Sequence, residues 1–239
     1  LEYAARGWRV LPLHSICEGG SCTCGRTDCR SPGKHPRTRR GVRDATTDPK
    51  LIRAWWGRWP DSNVGIATGR GLMILDVDGD EGWASIGTQH LPATPCVNTG
   101  RGSHYYLRPP EGVRVRNATG VAPGLDIKTD GGYVVAPPSR HVTGVDYEWA
   151  IPPDTEKVAT CPHWLADLLR SQQPRERRAD DEGQTIPEGR RNTTLTSYAG
   201  RLRLVGMPYE EIAAALLAYN AAHCKPPLSE GEVRGIARS

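Results

Sequence analysis

The sequence predicts an α+β domain followed by a small all-α domain, with a polar linker between them. Across residues 1–170, short apolar segments rich in β-branched residues alternate with glycine-containing turns, which is typical of strands. Beyond residue 186, apolar residues recur at helical spacing instead. Residues 171–185 are polar and follow neither pattern, as linkers do. We therefore expect two domains, at residues 1–170 and 186–239.

The chain begins with predicted helix and strand segments that frame a long loop. Residues 1–7 resemble the end of a helix, and residues 8–13 predict a buried strand. A loop rich in Gly, Cys and Arg then extends over residues 15–44. Asp48 and Pro49 are suited to the N-cap and first position of a helix. The apolar stripe of that helix is formed by Ile52, Trp55, Trp56 and Trp59.

Strands dominate the rest of the first domain. Four β-rich segments are predicted at residues 64–67, 72–78, 96–99 and 103–107. Gly100-Arg101-Gly102 predicts a tight hairpin between the last two. Residues 125–128 and 133–136 predict a second hairpin, connected by Asp130-Gly131-Gly132. Residues 162–169 predict a helix.

Three helices are predicted in the C-terminal domain. Asn192 is suited to cap a helix that continues to about residue 205. Residues 208–222 carry apolar side chains at helical spacing, and a last short helix contains Val233 and Ile236.

Composition restricts the classes of function. The formal net charge is +4, so the chain as a whole is not a strongly basic nucleic-acid binder. No apolar run approaches the roughly 20 residues that span a bilayer, and no signal peptide is visible. We therefore expect a cytoplasmic protein without a membrane partner. Because the chain starts at Leu1 without a Met, we also expect it to be part of a longer polypeptide.

The cysteines predict a metal site. Four of the seven lie between residues 17 and 29, and an odd total with one tight cluster argues against a disulfide framework. Four Cys and His ligands fill the tetrahedral shell of a structural Zn²⁺, which we predict on Cys22, Cys24, Cys29 and His35. His14 and Cys17 remain alternative ligands, and Cys17 is able to replace His35.

The same loop is locally basic. Between residues 26 and 43, one acid faces seven cations, namely Arg26, Arg30, Lys34, Arg37, Arg39, Arg40 and Arg43. Such a field attracts phosphates, so we expect salt-sensitive, sequence-tolerant contacts with a nucleic-acid backbone. The residues predicted to make these contacts are Lys34, Arg37, Arg39 and Arg40. The alternative is a solvated basic loop.

Acidic residues at strand ends predict a second metal site. Asp76 and Asp78 end an apolar strand, and because side chains alternate they share one face. Asp126 lies in another apolar strand. Three such carboxylates can hold two divalent cations, as in two-metal phosphoryl-transfer sites. His104 and Ser103 follow the glycine turn at the start of a strand, where they are suited to meet a phosphate.

Five motifs follow one another along the first domain. They are Asn63-Val64-Gly65-Ile66-Ala67-Thr68-Gly69, Leu75-Asp76-Val77-Asp78, Gly102-Ser103-His104-Tyr105-Tyr106, Leu125-Asp126-Ile127-Lys128 and Gly131-Gly132-Tyr133-Val134-Val135-Ala136-Pro137-Pro138-Ser139. Together they resemble one known family, the bifunctional primase-polymerase domain of the archaeo-eukaryotic primase superfamily, found in phage and plasmid replication proteins. The resemblance covers about residues 1–170. Gly33-Lys34-His35-Pro36 is similar to a further element of this family.

The resemblance implies an RRM-like catalytic sheet with an N-terminal α/β module and a zinc-binding loop. It implies that Asp76, Asp78 and Asp126 bind two catalytic Mg²⁺ or Mn²⁺ ions, with His104 contacting the phosphates of the incoming nucleotide. Gly102 takes the small-residue position of the small-x-His motif. Arg101, Ser103 and Lys128 are further candidate nucleotide ligands. In a regular strand, we expect Lys128 to point to the face opposite Asp126.

The resemblance also implies partners and an activity. The activity would be template-directed DNA primase and polymerase, acting on a single-stranded DNA template and primer with dNTPs or NTPs. The tail resembles the small helical domain that follows such catalytic domains, and a helicase often lies further along. The matching residues are Ile186-Pro187-Glu188-Gly189-Arg190-Arg191-Asn192, Leu195, Gly206, Glu211-Ile212, Asn220, Pro226-Pro227-Leu228 and Glu232-Val233. This tail either assists initiation and template binding or acts as a spacer.

Two other classes of function fit part of the pattern. Glycosyltransferases also place an Asp-x-Asp motif at a strand end, but they do not predict the zinc loop, His104 or Asp126. A non-catalytic nucleic-acid-binding module explains the basic zinc loop. Three acids around one cleft would repel a phosphate backbone in such a module unless metal ions lay between them.

Overall fold

A computed structural model of the chain describes residues 1–172 and 185–238. The chain divides into two compact units, Leu1–Gln173 and Pro174–Ser239. The predicted linker at residues 171–185 lies almost entirely outside the described residues. The predicted α+β class with a helical C-terminal region is confirmed. Among the described helices, none has the length and apolar character needed to cross a bilayer.

The first unit combines four described α-helices with eleven strands. The helices are α1 (Glu2–Ala5), α2 (Pro49–Arg58), α3 (Gly79–Ile86) and α4 (His163–Ser171), and a 3₁₀ turn lies at Gly41–Asp44. The strands are β1 (Val10–Leu13), β2 (Asn63–Ala67), β3 (Met73–Asp78), β4 (Cys96–Asn98), β5 (Gly102–Arg108), β6 (Ala118–Ala122), β7 (Leu125–Lys128), β8 (Tyr133–Ala136), β9 (Ser139–Arg140), β10 (Asp146–Ile151) and β11 (Ala159–Thr160).

These strands form two sheets. In the smaller sheet, β2 lies between β1 and β8, and both pairings are antiparallel. The larger sheet has the order β6-β7-β3-β5-β4-β10-β9, and β11 adds to β5 in parallel. The pairs formed by β3 with β5 and with β7 are antiparallel, which brings three separate sequence motifs side by side.

Strand β3 is apolar on both faces because each face packs against a different core. Met73, Leu75 and Val77 contribute to a core that also holds Leu165 of α4. Ile74 faces the other core, which the small sheet covers. A strand buried on both sides reads as a continuous apolar run, as this one does. Asp76 and Asp78 lie on the same face as Ile74, at the end of the strand and beyond that core.

Helix α2 begins where the sequence predicts. The side chain of Asp48 accepts a hydrogen bond from the backbone N of Lys50 (2.8 Å), and Pro49 is the first helical residue. The helix ends at Arg58, just before the Trp59-Pro60 pair. The predicted hairpin of β4 and β5 is also present, closed by a 2.9 Å hydrogen bond from Thr99 N to Gly102 O.

The predicted hairpin between residues 125–128 and 133–136 was wrong. Strand β7 pairs with β3 and β6, whereas β8 pairs with β2 in the other sheet. Asp130-Gly131-Gly132 therefore connects two sheets. Thr68 holds this connection, because its N donates to Gly132 O (3.0 Å) and its Oγ1 donates to Thr129 O (2.6 Å). A glycine turn signals where the chain bends but does not specify the strand partner.

The second unit is mainly helical. Its elements are α5 (Arg191–Leu204), α6 (Tyr209–His223), α7 (Glu230–Arg238), and the short parallel pair β12 (Ile186–Pro187) and β13 (Cys224–Lys225). Asn192 was predicted as an N-cap, but it lies inside α5, and Arg190 occupies the cap position without a side-chain hydrogen bond. The buried Asn220 exchanges two 2.9 Å hydrogen bonds with the backbone of Leu228.

Candidate active site and metal centres

The three central strands place acidic and imidazole side chains in one row. Asp76 is the direct partner of His104 on β5 and of Asp126 on β7. Direct cross-strand partners share a face, with Cβ atoms about 5 Å apart. His104 Nε2 lies 3.4 Å from Asp76 Oδ1. Asp78 is two residues further along β3, on the same face.

Asp78 stands at the junction of β3 and α3. It is the N-cap residue of α3, but its side chain makes no capping hydrogen bond. Its backbone N donates to Gly124 O (2.8 Å), which fixes the strand end against the turn before β7. The carboxylate is exposed and is available to a ligand at the edge of the acidic row.

Electrostatics at Asp76 favour a cation. Burial raises the pKa of the Asp76 carboxyl to about 6, and the negative charges of Asp78 and Asp126 add to this effect. Lys128 and Lys34 act in the opposite direction but do not cancel it. A divalent cation would relieve the repulsion, and carboxylate oxygens are the ligands that Mg²⁺ and Mn²⁺ accept. The donor set therefore fits these metals.

Asp126 is oriented by two donors. Its Oδ1 accepts from Gly120 N (2.8 Å) and its Oδ2 accepts from Lys128 Nζ (2.7 Å). The expectation that Lys128 faces away from Asp126 was wrong. Residues two apart in a strand share a face, and Ile127 between them is the one that points into the core. Lys128 therefore lies within the acidic row and partly neutralises it.

His104 is buried and uncharged at neutral pH. Burial, aided by the positive charge of Lys34, lowers the pKa of its imidazole to about 3. Ser103 lies on the other face, since its partner on β3 is the core residue Val77. Its hydroxyl is therefore not directed at the carboxylates, and we assign its side chain no role in the site.

The glycine at the small-residue position is required by the strand pairing. A Cβ on Gly102 would lie 1.8 Å from the carbonyl oxygen of Val77, well inside van der Waals contact. Close approach here lets β5 pair with β3 up to Asp78. The neighbouring Arg101 is exposed in the hairpin loop, and its backbone N donates to Thr99 Oγ1 (3.2 Å).

Two aromatic or imidazole residues beside the site were not found from the sequence. The ring of the buried Tyr147 lies 6.2 Å from that of His104, and burial and the charges of Asp76 and Asp78 raise its pKa. His141 lies 5.8 Å from Tyr147 and packs against Gly100. His141 lies in a turn-rich segment just before β10, which contains Tyr147. No local sequence pattern in this region pointed to either residue.

Lys34 connects the cysteine loop to the acidic row. The buried Asn63 amide donates to Gly33 O (2.8 Å) and to Arg140 O (2.9 Å). Tyr133 Oη donates to Lys34 O (3.0 Å). The positive charge of Lys34 lowers the pKa values of both Asp76 and His104. The loop is therefore fastened so that an exposed ammonium group stands near the site.

The predicted zinc ligands come together. One ligand atom from each of Cys22, Cys24, Cys29 and His35 lies within 4.8 Å of the others. His35 Nε2 is 3.4 Å from Cys22 Sγ and 3.5 Å from Cys29 Sγ. With Zn–S and Zn–N bonds of about 2.3 and 2.1 Å, tetrahedral ligand atoms lie roughly 3.6 Å apart. The Cys₃His cluster therefore fits Zn²⁺.

The alternative ligands lie outside this cluster. Cys17 is exposed, and among the described residues the four-ligand group does not include it. The Nδ1 of His14 is hydrogen-bonded to Thr23 Oγ1 (3.1 Å), and its ring stacks on His35 at 4.3 Å. His14 therefore packs against the candidate ligand His35 and lies outside the four-residue cluster.

The four predicted nucleic-acid cations differ in their surroundings. Arg37 is directed inward, where it donates to Thr23 Oγ1 (2.8 Å) and Leu13 O (3.3 Å), so it supports the loop. Arg40 forms a 2.8 Å ion pair with Asp44. Lys34 and Arg39 are exposed. The predicted contact with a nucleic-acid backbone therefore rests mainly on Lys34 and Arg39.

The larger sheet aligns carboxylates, an imidazole and a glycine turn beside a Cys₃His loop. This arrangement fits a nucleotidyltransferase-type enzyme of the primase/polymerase class. The chain belongs to the bifunctional DNA primase/polymerase (Prim-Pol) family, whose N-terminal domain model matches residues 1–164. The primase C terminal 1 (PriCT-1) model matches residues 183–239. A search of curated proteins found no match. The Prim-Pol and PriCT-1 matches support a role in DNA replication, with DNA and nucleotides as substrates.

Proposed function

We propose that this chain is a template-directed DNA primase and DNA polymerase that uses two divalent cations, Mg²⁺ or Mn²⁺, to transfer nucleotidyl groups from (d)NTPs. The observation that carries the proposal is the row Asp126–Asp76–His104 across three adjacent strands, with Asp78 beside it. Membership of the Prim-Pol family supports this assignment.

The side chains of the row have distinct roles in the proposal. Asp76, Asp78 and Asp126 hold the metal ions, and Lys128 orients Asp126 through their 2.7 Å contact. The bound metal ions would activate the attacking 3′-hydroxyl and neutralise the triphosphate and the leaving pyrophosphate. His104 presents one N–H as a neutral imidazole and donates it to a phosphate oxygen of the incoming nucleotide. Arg101 and Lys34 add positive charge at the rim.

The zinc loop has a structural role in this proposal. A structural Zn²⁺ on the Cys₃His cluster keeps the loop folded, and the loop in turn presents Lys34 and Arg39 to the template backbone. The biological setting we propose is replication of a phage or plasmid, with single-stranded template and primer as partners. In this setting a helicase would separate the strands.

Incorporation of labelled nucleotides tests the proposal. The full chain is incubated with single-stranded template, with and without a primer, in Mg²⁺ and in Mn²⁺, with dNTPs and with NTPs. We expect products without a primer, extension with one, and neither from the Asp76→Ala/Asp78→Ala variant. Normal synthesis by that double variant would refute the assignment. Incubation with UDP-sugars is the matched negative control, because transfer there would favour a glycosyltransferase.

A further inference from the structure

A second polar cleft lies away from the acidic row. It has a volume of about 410 Å³, and four arginines line it together with Trp8 and the backbone of Gly69 and Gly71. The arginines are Arg6, Arg9, Arg70 and Arg108. They come from three segments of the first unit: Arg6 and Arg9 from the connection between α1 and β1, Arg70 from the turn before β3, and Arg108 from the end of β5.

The positive charge of this cleft is only partly compensated. Arg6 forms an ion pair with Asp154, and Arg108 donates to Thr160 Oγ1 (2.9 Å). Within the described residues, the guanidinium groups of Arg9 and Arg70 form no hydrogen bond and no ion pair. Burial, and then the charge of Arg70, lower the pKa of Arg9, while the Asp130 carboxylate acts against this shift. The two guanidinium groups repel each other across the cleft, and an anion between them would remove that repulsion.

The backbone at Arg70 is unusual. Arg70 has φ of +52°, and among the described residues it is the non-glycine residue with positive φ. Its backbone N donates a hydrogen bond to Asp130 Oδ1 (3.1 Å). A side chain in the left-handed region costs free energy, and such residues concentrate at functional sites. A glycine adopts this conformation without that cost, so the positive φ at Arg70 is an independent sign that this turn belongs to a functional site.

The cleft and the acidic row lie on one face of the large sheet. In β5, Arg108 shares a face with Tyr106 and His104, because the three are two residues apart. Arg108 is four residues from His104, which at about 3.3 Å per residue places the cleft roughly 13 Å from the row. The small sheet and Trp8 cover the residues between them, since Trp8 stacks on Tyr106 at 5.2 Å.

We propose that this arginine cleft binds the sugar-phosphate backbone of a single-stranded nucleic acid. Guanidinium groups pair with phosphate oxygens in a forked geometry, and several converging from separate segments select for phosphates spaced along a strand. A cleft of this volume accommodates about one or two nucleotides of a strand. The identity of the strand as the template rests on the proposed function, whereas its binding to the cleft does not.

Salt-dependent binding tests the proposal without catalysis. A fluorescein-labelled oligothymidylate is titrated with the full chain, without dNTP or added divalent metal, at several salt concentrations between about 50 and 200 mM. The test variant is Arg9→Gln/Arg70→Asn, because Asn tolerates positive φ. The control is Lys50→Gln/Arg53→Gln, which removes two exposed charges from α2. Arg108→Gln serves as a second test variant that leaves the turn unchanged.

The expected result is a decrease in the slope of log K against log salt. Each lost phosphate contact lowers the slope by about 0.7 on a single strand, so the test pair would lose about 1.4 and Arg108→Gln about 0.7. An unchanged slope, or an equal decrease in the control, would overturn the proposal. Unchanged oligothymidylate binding with loss of inorganic triphosphate binding would also overturn it and assign the cleft to free nucleotides. A chain that incorporates no nucleotides but shows the expected slopes would reject the polymerase assignment alone.

Discussion

Asp76 is the residue at which the native fold carries an unfavourable charge. Its pKa rises from 3.8 to about 6 because the carboxyl is buried next to Asp78 and Asp126. A shift of about two units corresponds to a free-energy cost on the order of 2–3 kcal/mol for ionising this group in the folded state. A chain selected only for stability would place a neutral residue there, so this cost supports the proposal that the row binds cations.

The first prediction concerns removal of that charge. In Asp76→Asn we expect nucleotide incorporation to fall by about 10³-fold or more, because a metal ligand is lost. We also expect the melting temperature without added divalent metal at pH 8 to rise by several degrees, because the buried charge is gone. Primer extension and thermal unfolding measure the two effects. The exposed Asp61→Asn is the control, and a less stable Asp76→Asn variant would contradict the account.

The second prediction concerns pH. A carboxyl group with a raised folded-state pKa binds its proton more tightly in the native state, so its contribution to stability falls as pH rises from about 4 to about 6. Below about pH 4, wild type and Asp76→Asn should have the same free energy of unfolding from this cause. Above about pH 6 the variant should be more stable. Urea unfolding across this range measures the difference, and a constant difference at every pH would exclude the assigned cause.

The third prediction concerns the glycine beside Asp78. Gly102→Ala should destabilise the first unit by about 2 kcal/mol or more, because its Cβ would meet Val77 O at 1.8 Å. The strand ends must separate to relieve this contact, so incorporation should fall as well. Gly57→Ala, in α2 with open space around it, is the control and should be neutral or slightly stabilising. Equal stability of both variants by urea unfolding would contradict the predicted strand contact.

At the scale of elements, the zinc loop is linked to the small sheet through hydrogen bonds to two backbone carbonyl groups of the loop. Asn63 and Tyr133 belong to the small sheet, and both hold the Gly33-Lys34 segment by hydrogen bonds. His35, the fourth candidate zinc ligand, is the next residue. A disturbance in the metal cluster should therefore reach Lys34 directly.

The fourth prediction separates structural thiols from a spare one. Cys22→Ser should lower bound zinc by about one ion per chain, lower the melting temperature and impair incorporation, because one of four ligands is lost. Cys17→Ser should leave all three unchanged, since Cys17 is exposed and outside the cluster. Zinc content by mass spectrometry and thermal unfolding provide the test. Equal zinc loss in the two variants would place Cys17 among the ligands.

The fifth prediction concerns Lys34 itself. Lys34→Ala should raise the KM for dNTP by about tenfold with a smaller change in kcat, because a cation near the triphosphate is removed. Zinc content should not change, since Lys34 is not a ligand. Lys50→Ala, which removes an exposed lysine from α2, is the control. Steady-state incorporation kinetics measure the effect, and an unchanged KM would remove Lys34 from the site.

At the scale of the whole molecule, local sequence patterns predicted local structure, but they did not predict which strands pair with each other. The apolar run of β3, the Asp48-Pro49 start of α2 and the cysteine spacing each express a short-range rule, and the structure shows each feature. The partners of β7 and β8 depend on residues far away in sequence, so the glycine turn between them misled the prediction.

The same reasoning explains which parts of the site could be predicted. Strand alternation was sufficient to place Asp76 and Asp78 on one face, and applied consistently it also places Lys128 beside Asp126. Tyr147 and His141 reach the site only because β10 pairs with β4, a contact across about 50 residues of sequence. The division into domains at residues 170 and 186 stays a prediction for the segment between the two described ranges.

The most direct test of the central claim is a count of the metal ions held with a nucleotide. Mn²⁺ is titrated by electron paramagnetic resonance into the zinc-loaded chain with template, primer ending in a dideoxynucleotide, and the matching dNTP. The account predicts two bound Mn²⁺ ions per chain, and loss of at least one in Asp76→Asn/Asp126→Asn. Equal Mn²⁺ binding by wild type and this variant would show that the acidic row does not hold the catalytic metals.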